Sequence, residues 1–101
     1  MSGLEEQKLE ADLQAKALAP RVTLDDIDAE ITRADYHVFP GTALTICALT
    51  LRNGYIVTGE SAAASLANFR PELGREIAFG KAREKIWGLL GFRLRDKLAA
   101  A

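Results

Sequence analysis

Hydrophobic positions along the chain fall into a thin N-terminal stripe, a short helix and strand, a hairpin and a long two-sided helix. Residues Leu4–Ala19 are rich in Ala, Leu, Glu, Gln and Lys, all good helix formers. Leu9, Leu13 and Ala17 share one face at i, i+4, i+8 spacing, and Pro20 closes the segment. A stripe this narrow predicts a helical arm over residues 1–20 that depends on a partner for stability. The remaining residues, 21–101, read as one domain. In "RVTLDDIDAEITRADYHVF", Thr23 suits an N-cap and Asp26 stands in for the glutamate of a capping box. Val22 and Ile27 are spaced for a hydrophobic staple. Leu24, Ile27, Ile31 and Ala34 line up on one face, which predicts a helix over Leu24–Ala34. "YHVF" then reads as a short strand, and Pro40-Gly41 as a turn.

"LTLRNGYIVTG", Leu49–Gly59, is two β-like runs around Asn-Gly, the pair favoured in two-residue type I′ turns. With Asn53-Gly54 as the loop, Leu51 lies opposite Ile56 and Leu49 opposite Thr58. One face then shows Leu49, Leu51, Ile56 and Thr58, with Cys47 behind them. The other shows Ile46, Thr50, Tyr55 and Val57, with Arg52 at the rim. Neither face is charged enough to lie in water, so both should be covered. The C-terminal helix would serve one, and the Thr23 helix or a second subunit the other.

After "ESAAASLANF", Pro71 suits a first helical position, with Asn68 upstream to offer its side chain to free backbone donors. A helix is predicted from Pro71 to about Leu90. Ala78, Phe79, Ala82, Ile86, Leu89 and Leu90 form one apolar arc, and Leu73, Ile77 and Trp87 another. Gly91 marks a kink or cap, after which Leu94 and Leu98 resume helical spacing. The expected fold is therefore α+β: an antiparallel hairpin or small sheet packed against a long, kinked C-terminal helix, with short N-terminal helices.

The chain has 101 residues, nearly half apolar and about a quarter charged, with formal net charge −1. That suits one small domain for which self-association adds buried area, and it argues against binding a nucleic-acid polymer. Cys47 is the single cysteine, so no internal disulfide forms and a reducing compartment is expected. It reads as a small core residue. An acidic N-terminus without an apolar core resembles no signal peptide, and no stretch reaches the roughly 20 apolar residues of a membrane span. A soluble intracellular protein is expected.

Candidate chemistry is sparse. His37, the only histidine, has no sequence neighbour to make it a metal ligand or an activated base; a structural or rim role fits better. Ser61, beside Glu60, lacks an elbow motif and a histidine partner. No metal, cofactor or catalytic group is expected, and the chain does not read as an enzyme. The helical glycines 74, 80 and 88 make no dinucleotide fingerprint; close approach of another backbone is their expected use. Arg70, Arg75, Lys81, Arg83, Lys85, Arg93 and Arg95 give the C-terminal third a basic excess. That excess is either a solvated face balanced by glutamates or a phosphate pocket, with guanidinium forks taking the charge and Phe69 or Tyr55 stacking on a base.

"APRVT", "LTICALTLRNGYIVTGESA", "NF", "GREIAF" and "KIWGLLGFRLRDKL" together resemble a family of small tailed-phage and prophage proteins of gp-forty-nine type, from about Ala19 to Leu98. Over the hairpin and C-terminal helices the chain is also similar to the Thoeris anti-defence one proteins. Those are oligomeric sponges that sequester cyclic ADP-ribose-type signals, and in some cases cyclic oligonucleotides, without degrading them. The resemblance implies a non-enzymatic anti-defence protein of the host cytoplasm, a homodimer or higher homo-oligomer. Aromatic and arginine side chains at its subunit boundaries would hold adenine and phosphates. The ligand-binding candidates are Arg52, Tyr55, Phe69 (the aromatic of the "NF" motif), Arg75, Lys81 and Arg95. Arg70 stands where the family tends to have Asp, Lys81 where several members carry Asn, and "AAAS" where a polar or cysteine-containing loop is common. The alternative is a phage accessory protein that acts through a protein partner.

Overall fold

The computed structural model describes Glu6, Gln7, Leu9, Glu10 and residues 19–101. Helix α1 (Leu24–Glu30) leads directly into strand β1 (Ile31–Val38); β2 (Leu44–Leu51), β3 (Ile56–Ala62), a 3₁₀ turn (Leu66–Asn68) and helix α2 (Pro71–Ala100) follow. The strands form one antiparallel sheet in the order β1-β2-β3. This is the expected α+β arrangement. Of the stripe expected in the N-terminal arm, Leu13 and Ala17 lie outside the described residues.

The start of α1 follows the sequence closely. Thr23 Oγ1 accepts from the Asp26 N–H at 3.1 Å, and Asp26 accepts from the Thr23 N–H at 2.9 Å, which closes the capping box. Its end does not follow. The helix stops at Glu30 rather than Ala34, and Ile31 is already extended at φ −81°, ψ 119°. Each residue from Arg33 to Val38 pairs with β2; the ladder and the β preference of Ile31 and Thr32 outweigh the helical spacing of the last four expected residues. Ala34, expected on the helix stripe, lies exposed on β1.

The hairpin is correct in place and one residue off in register. Gly54 N–H donates to Leu51 O at 2.9 Å and Leu51 N–H to Tyr55 O at 2.8 Å. Only Gly54 takes positive φ, +87°. The loop is thus three residues, Arg52-Asn53-Gly54, with glycine in the left-handed position, the next commonest hairpin after the two-residue form. Leu49 now faces Val57 and Thr50 faces Ile56. A one-residue slip moves a whole strand's side chains to the other face, and here it gathers the apolar set. Cys47, Leu49, Leu51 and Val57 all lie buried with Ile27, Ala78, Ala82, Ile86 and Leu90, while Ile56 and Thr58 turn outward.

Helix α2 runs unbroken through Gly91, so no cap forms there. Thirty residues at about 1.5 Å each span roughly 45 Å, which sets the 52 Å long dimension. Its buried line is Gly74, Ala78, Ala82, Ile86 and Leu90. The line can sit close to the sheet because Gly59 lies beneath it: a Cβ there would fall on the Ala78 carbonyl oxygen and the Ala82 nitrogen. Within one chain the closest backbone approach belongs to a strand glycine, while Gly80, Gly88 and Gly91 face open space. Of the second arc, Leu73 and Ile77 are exposed, whereas Trp87 packs against the core. Asn68 does not cap α2; Arg70 is the N-cap residue and no side chain bonds the free amides. Helix α2 covers β2 and β3 on one face of the sheet.

Candidate functional site

The hairpin tip and the last third of α2 meet at one end of the sheet and frame two shallow hollows. The first, of about 230 Å³, is lined by Arg21, Arg52, Arg93 and Lys97, with Asp26 and Glu30 among them. The second, of about 250 Å³, lies across Arg93 and is lined by Leu51, Asn53, Tyr55, Leu89, Phe92 and Asp96. Tyr55 is 57% exposed and Phe92 72% exposed. Exposed rings therefore stand beside a guanidinium shared by both hollows.

Arg93 is fixed from below. Glu30 ends α1 and is buried, with 2% of its surface exposed. It accepts from Arg93 Nη1 at 2.9 Å and Nη2 at 3.4 Å. These bonds hold the Glu30 carboxyl below the usual carboxylate range against the opposing effect of burial, and the Arg52 backbone and charge add to them. At the other rim Arg21 forks onto Glu10 at 3.0 and 2.7 Å, and Glu10 also accepts from the Leu24 N–H. The Arg21 fork lowers the Glu10 pKa. Arg52 and Lys97 make no ion pair among the described residues.

The other named candidates lie elsewhere. Phe69 lines a hollow of about 450 Å³ with Ala67, Asn68, Arg70 and Leu73, at the N-terminal end of α2. Lys81 lines one of about 370 Å³ with Ile46, Thr58, Gly59, Glu60 and Lys85 along β3. Arg75 sits near Tyr36, whose pKa is raised by burial and by Cys47, while the Arg75 charge opposes the rise. Arg95 is exposed on the last third of α2 but lines neither of the two hollows there. One chain thus brings Arg52 and Tyr55 to the same end of the sheet and keeps Phe69, Arg75, Lys81 and Arg95 apart from them.

Sequence reasoning named Arg93 only within the basic excess of the C-terminal third and passed over Lys97, Phe92 and Arg21 as site residues. Arg93 and Lys97 are four apart on a helix, a spacing that places both on one face; only the fold shows that this face meets the hairpin tip. His37 lies on the open face of β1, its ring 4.7 Å from that of Phe39 and edge-on to it. Cys47 is buried and free, as expected of a core residue, and burial raises its pKa. Thr45 Oγ1 is buried beside Gly74 and has no hydrogen-bond partner among the described residues. Among the described residues no group of His, Cys, Asp and Glu is arranged to hold a metal, and no helix is long and apolar enough to cross a membrane.

Comparison with known proteins places most of the chain. Residues 22–98 match the model of the phage protein (N4 Gp49/phage Sf6 gene 66) family. Curated proteins and solved structures returned no match.

Proposed function

Because this chain belongs to that phage protein family, we propose that it is a non-enzymatic anti-defence protein which sequesters a cyclic nucleotide immune signal in the host cytoplasm. The ligand class is cyclic ADP-ribose or a related cyclic nucleotide, held at subunit boundaries of a homo-oligomer. The observation that carries the reading is the hairpin-tip surface, where exposed Tyr55 and Phe92 stand beside Arg93, and Arg93 in turn shares the adjoining hollow with Arg52. Rings that stack on a base and guanidinium forks that take phosphate oxygens are the groups such a ligand requires. Each hollow there is smaller than the roughly 300–1,000 Å³ of ordinary small-molecule sites. A second subunit would complete them, and would bring Phe69, Arg75, Lys81 or Arg95 from a neighbouring copy. The resemblance to the Thoeris anti-defence one proteins supports the choice of signal.

The test is a thermal-shift screen of the purified chain against cyclic ADP-ribose isomers and cyclic di- and trinucleotides. Ligand at 100 times its dissociation constant adds about 2.7 kcal/mol. A shift lost in Arg52→Ala, Phe69→Ala or Arg95→Ala, with ligand recovered intact after heating, is the expected result. Altered ligand would mean an enzyme. A flat screen from a folded oligomer would favour a protein partner, for which the exposed Leu73, Ile77 and Phe92 offer apolar contact.

A further inference from the structure

We propose that two copies of this chain join through their β1 edges, antiparallel about a two-fold axis at Ala34, so that one continuous sheet runs through both. The pairing needs no ligand and stands apart from the function proposed above, although it would supply one subunit boundary for it.

The backbone defines the edge. Phe39 N–H donates to Leu44 O at 3.2 Å, so Phe39 turns its backbone groups toward β2. Alternation along an antiparallel strand then turns His37, Asp35 and Arg33 the same way, each opposite its β2 partner. Val38, Tyr36 and Ala34 therefore present N–H and C=O groups outward. β1 is the first strand of the sheet, and its residues from Thr32 to His37 are all exposed. Such an edge is a template for another strand unless something blunts it. The β3 edge is blunted by Lys81 and Lys85, which flank Thr58 and Glu60 there. Among the described residues the β1 edge has no such lysine guard.

What it carries instead is self-complementary. In an antiparallel pair centred on Ala34, Ala34 exchanges both hydrogen bonds with its own counterpart. Arg33 then stands directly opposite Asp35 of the partner subunit, and Asp35 opposite the partner's Arg33. These are non-hydrogen-bonded positions, where side chains approach most closely and opposite charges stabilise the pair. Within one chain Arg33 Nε already bonds Asp35 Oδ2 at 2.6 Å with both side chains mostly in water, a setting in which an ion pair contributes little. Pairing would join the two bridges into one cluster of four charges. Helix α2 lies over β2 and β3, and Tyr36, on the same face as its β2 partner Cys47, is 41% exposed; a second strand alongside would shelter it.

Sedimentation of the full chain over a concentration series, without nucleotide, tests the pairing. The wild-type chain is expected to form a dimer or an even multiple of one. Ala34→Pro removes the N–H at the two-fold axis, which β2 does not use, and proline is tolerated at such edge positions; it should abolish the dimer. Arg33→Asp sets like charges opposite one another and should do the same, and Arg33→Asp combined with Asp35→Arg should restore association. Should Ala34→Pro disturb the fold, seen by circular dichroism, the charge exchange decides alone. A wild-type chain monomeric throughout, or association indifferent to the charge exchange, overturns the proposal. Neither outcome bears on the nucleotide screen, which is read by ligand-dependent stabilisation.

Discussion

Two glycines separate packing from propensity. Gly59 has helix backbone where its Cβ would stand, while Gly80 has open space. Gly59→Ala must push α2 off the sheet, and overpacking of this kind costs about 1–3 kcal/mol or more; thermal unfolding should show the midpoint falling by roughly 5–20 °C. Gly80→Ala should raise it, since alanine in an exposed helix stabilises by about 1 kcal/mol. Glu30 and Arg93 make a second residue-scale case. Arg93 reaches solvent but Glu30 does not, so Arg93→Met strands a buried carboxylate and should cost on the order of 2 kcal/mol at neutral pH, less than the roughly 3–5 of a wholly buried pair. The folded-state pKa of Glu30 is depressed, so its contribution is present above the ordinary glutamate range and lost as pH falls through the folded value. Urea unfolding from pH 7 to pH 3 should therefore show the gap between wild type and Arg93→Met narrowing toward the acid end.

At the scale of elements, local signals held where no ladder competed with them. The capping box formed at Thr23 and Asp26 as read, and Thr23→Ala should cost about 1 kcal/mol in chemical denaturation. The α1 end and the hairpin register followed the sheet instead. Asn-Gly signals a turn but serves both the two-residue loop and the three-residue loop found here; what separates them is which register buries Val57 with Leu49. That choice places the positive φ on Gly54 alone. Gly54→Ala should cost about 1–2 kcal/mol from the left-handed conformation, and Asn53→Ala clearly less, a contrast that the same unfolding experiment reads.

For the whole molecule, helix α2 covers one face of a sheet whose first edge pairs with no further strand among the described residues. Two sides of α1 and α2 are also held together by charge. Arg83 bonds Asp28 at 3.0 Å and Glu6 at 3.2 Å; its pKa is raised although burial acts to lower it, because those two bonds outweigh desolvation. If copies pair through β1, folding is linked to association and the unfolding midpoint depends on protein concentration. Calorimetry at increasing concentration should show the wild-type midpoint rising and that of Arg33→Asp staying level.

The sequence by itself determined the element types, the capping box, the turn at Gly54, the buried thiol at Cys47, and the phage family to which the chain belongs. Those features rest on interactions within a few residues, or on motifs long enough to be distinctive. Only the tertiary structure decided the helix end at Glu30, the register that sorts Val57 from Ile56, and the site of closest backbone approach, Gly59. It also decided that Arg93, Phe92 and Lys97 meet Arg52 and Tyr55, while Phe69, Arg75, Lys81 and Arg95 stay apart from them. These depend on which surfaces come together, and that is settled by the summed burial of the core and the pairing of the ladder, to which no short stretch of sequence contributes enough to fix the answer.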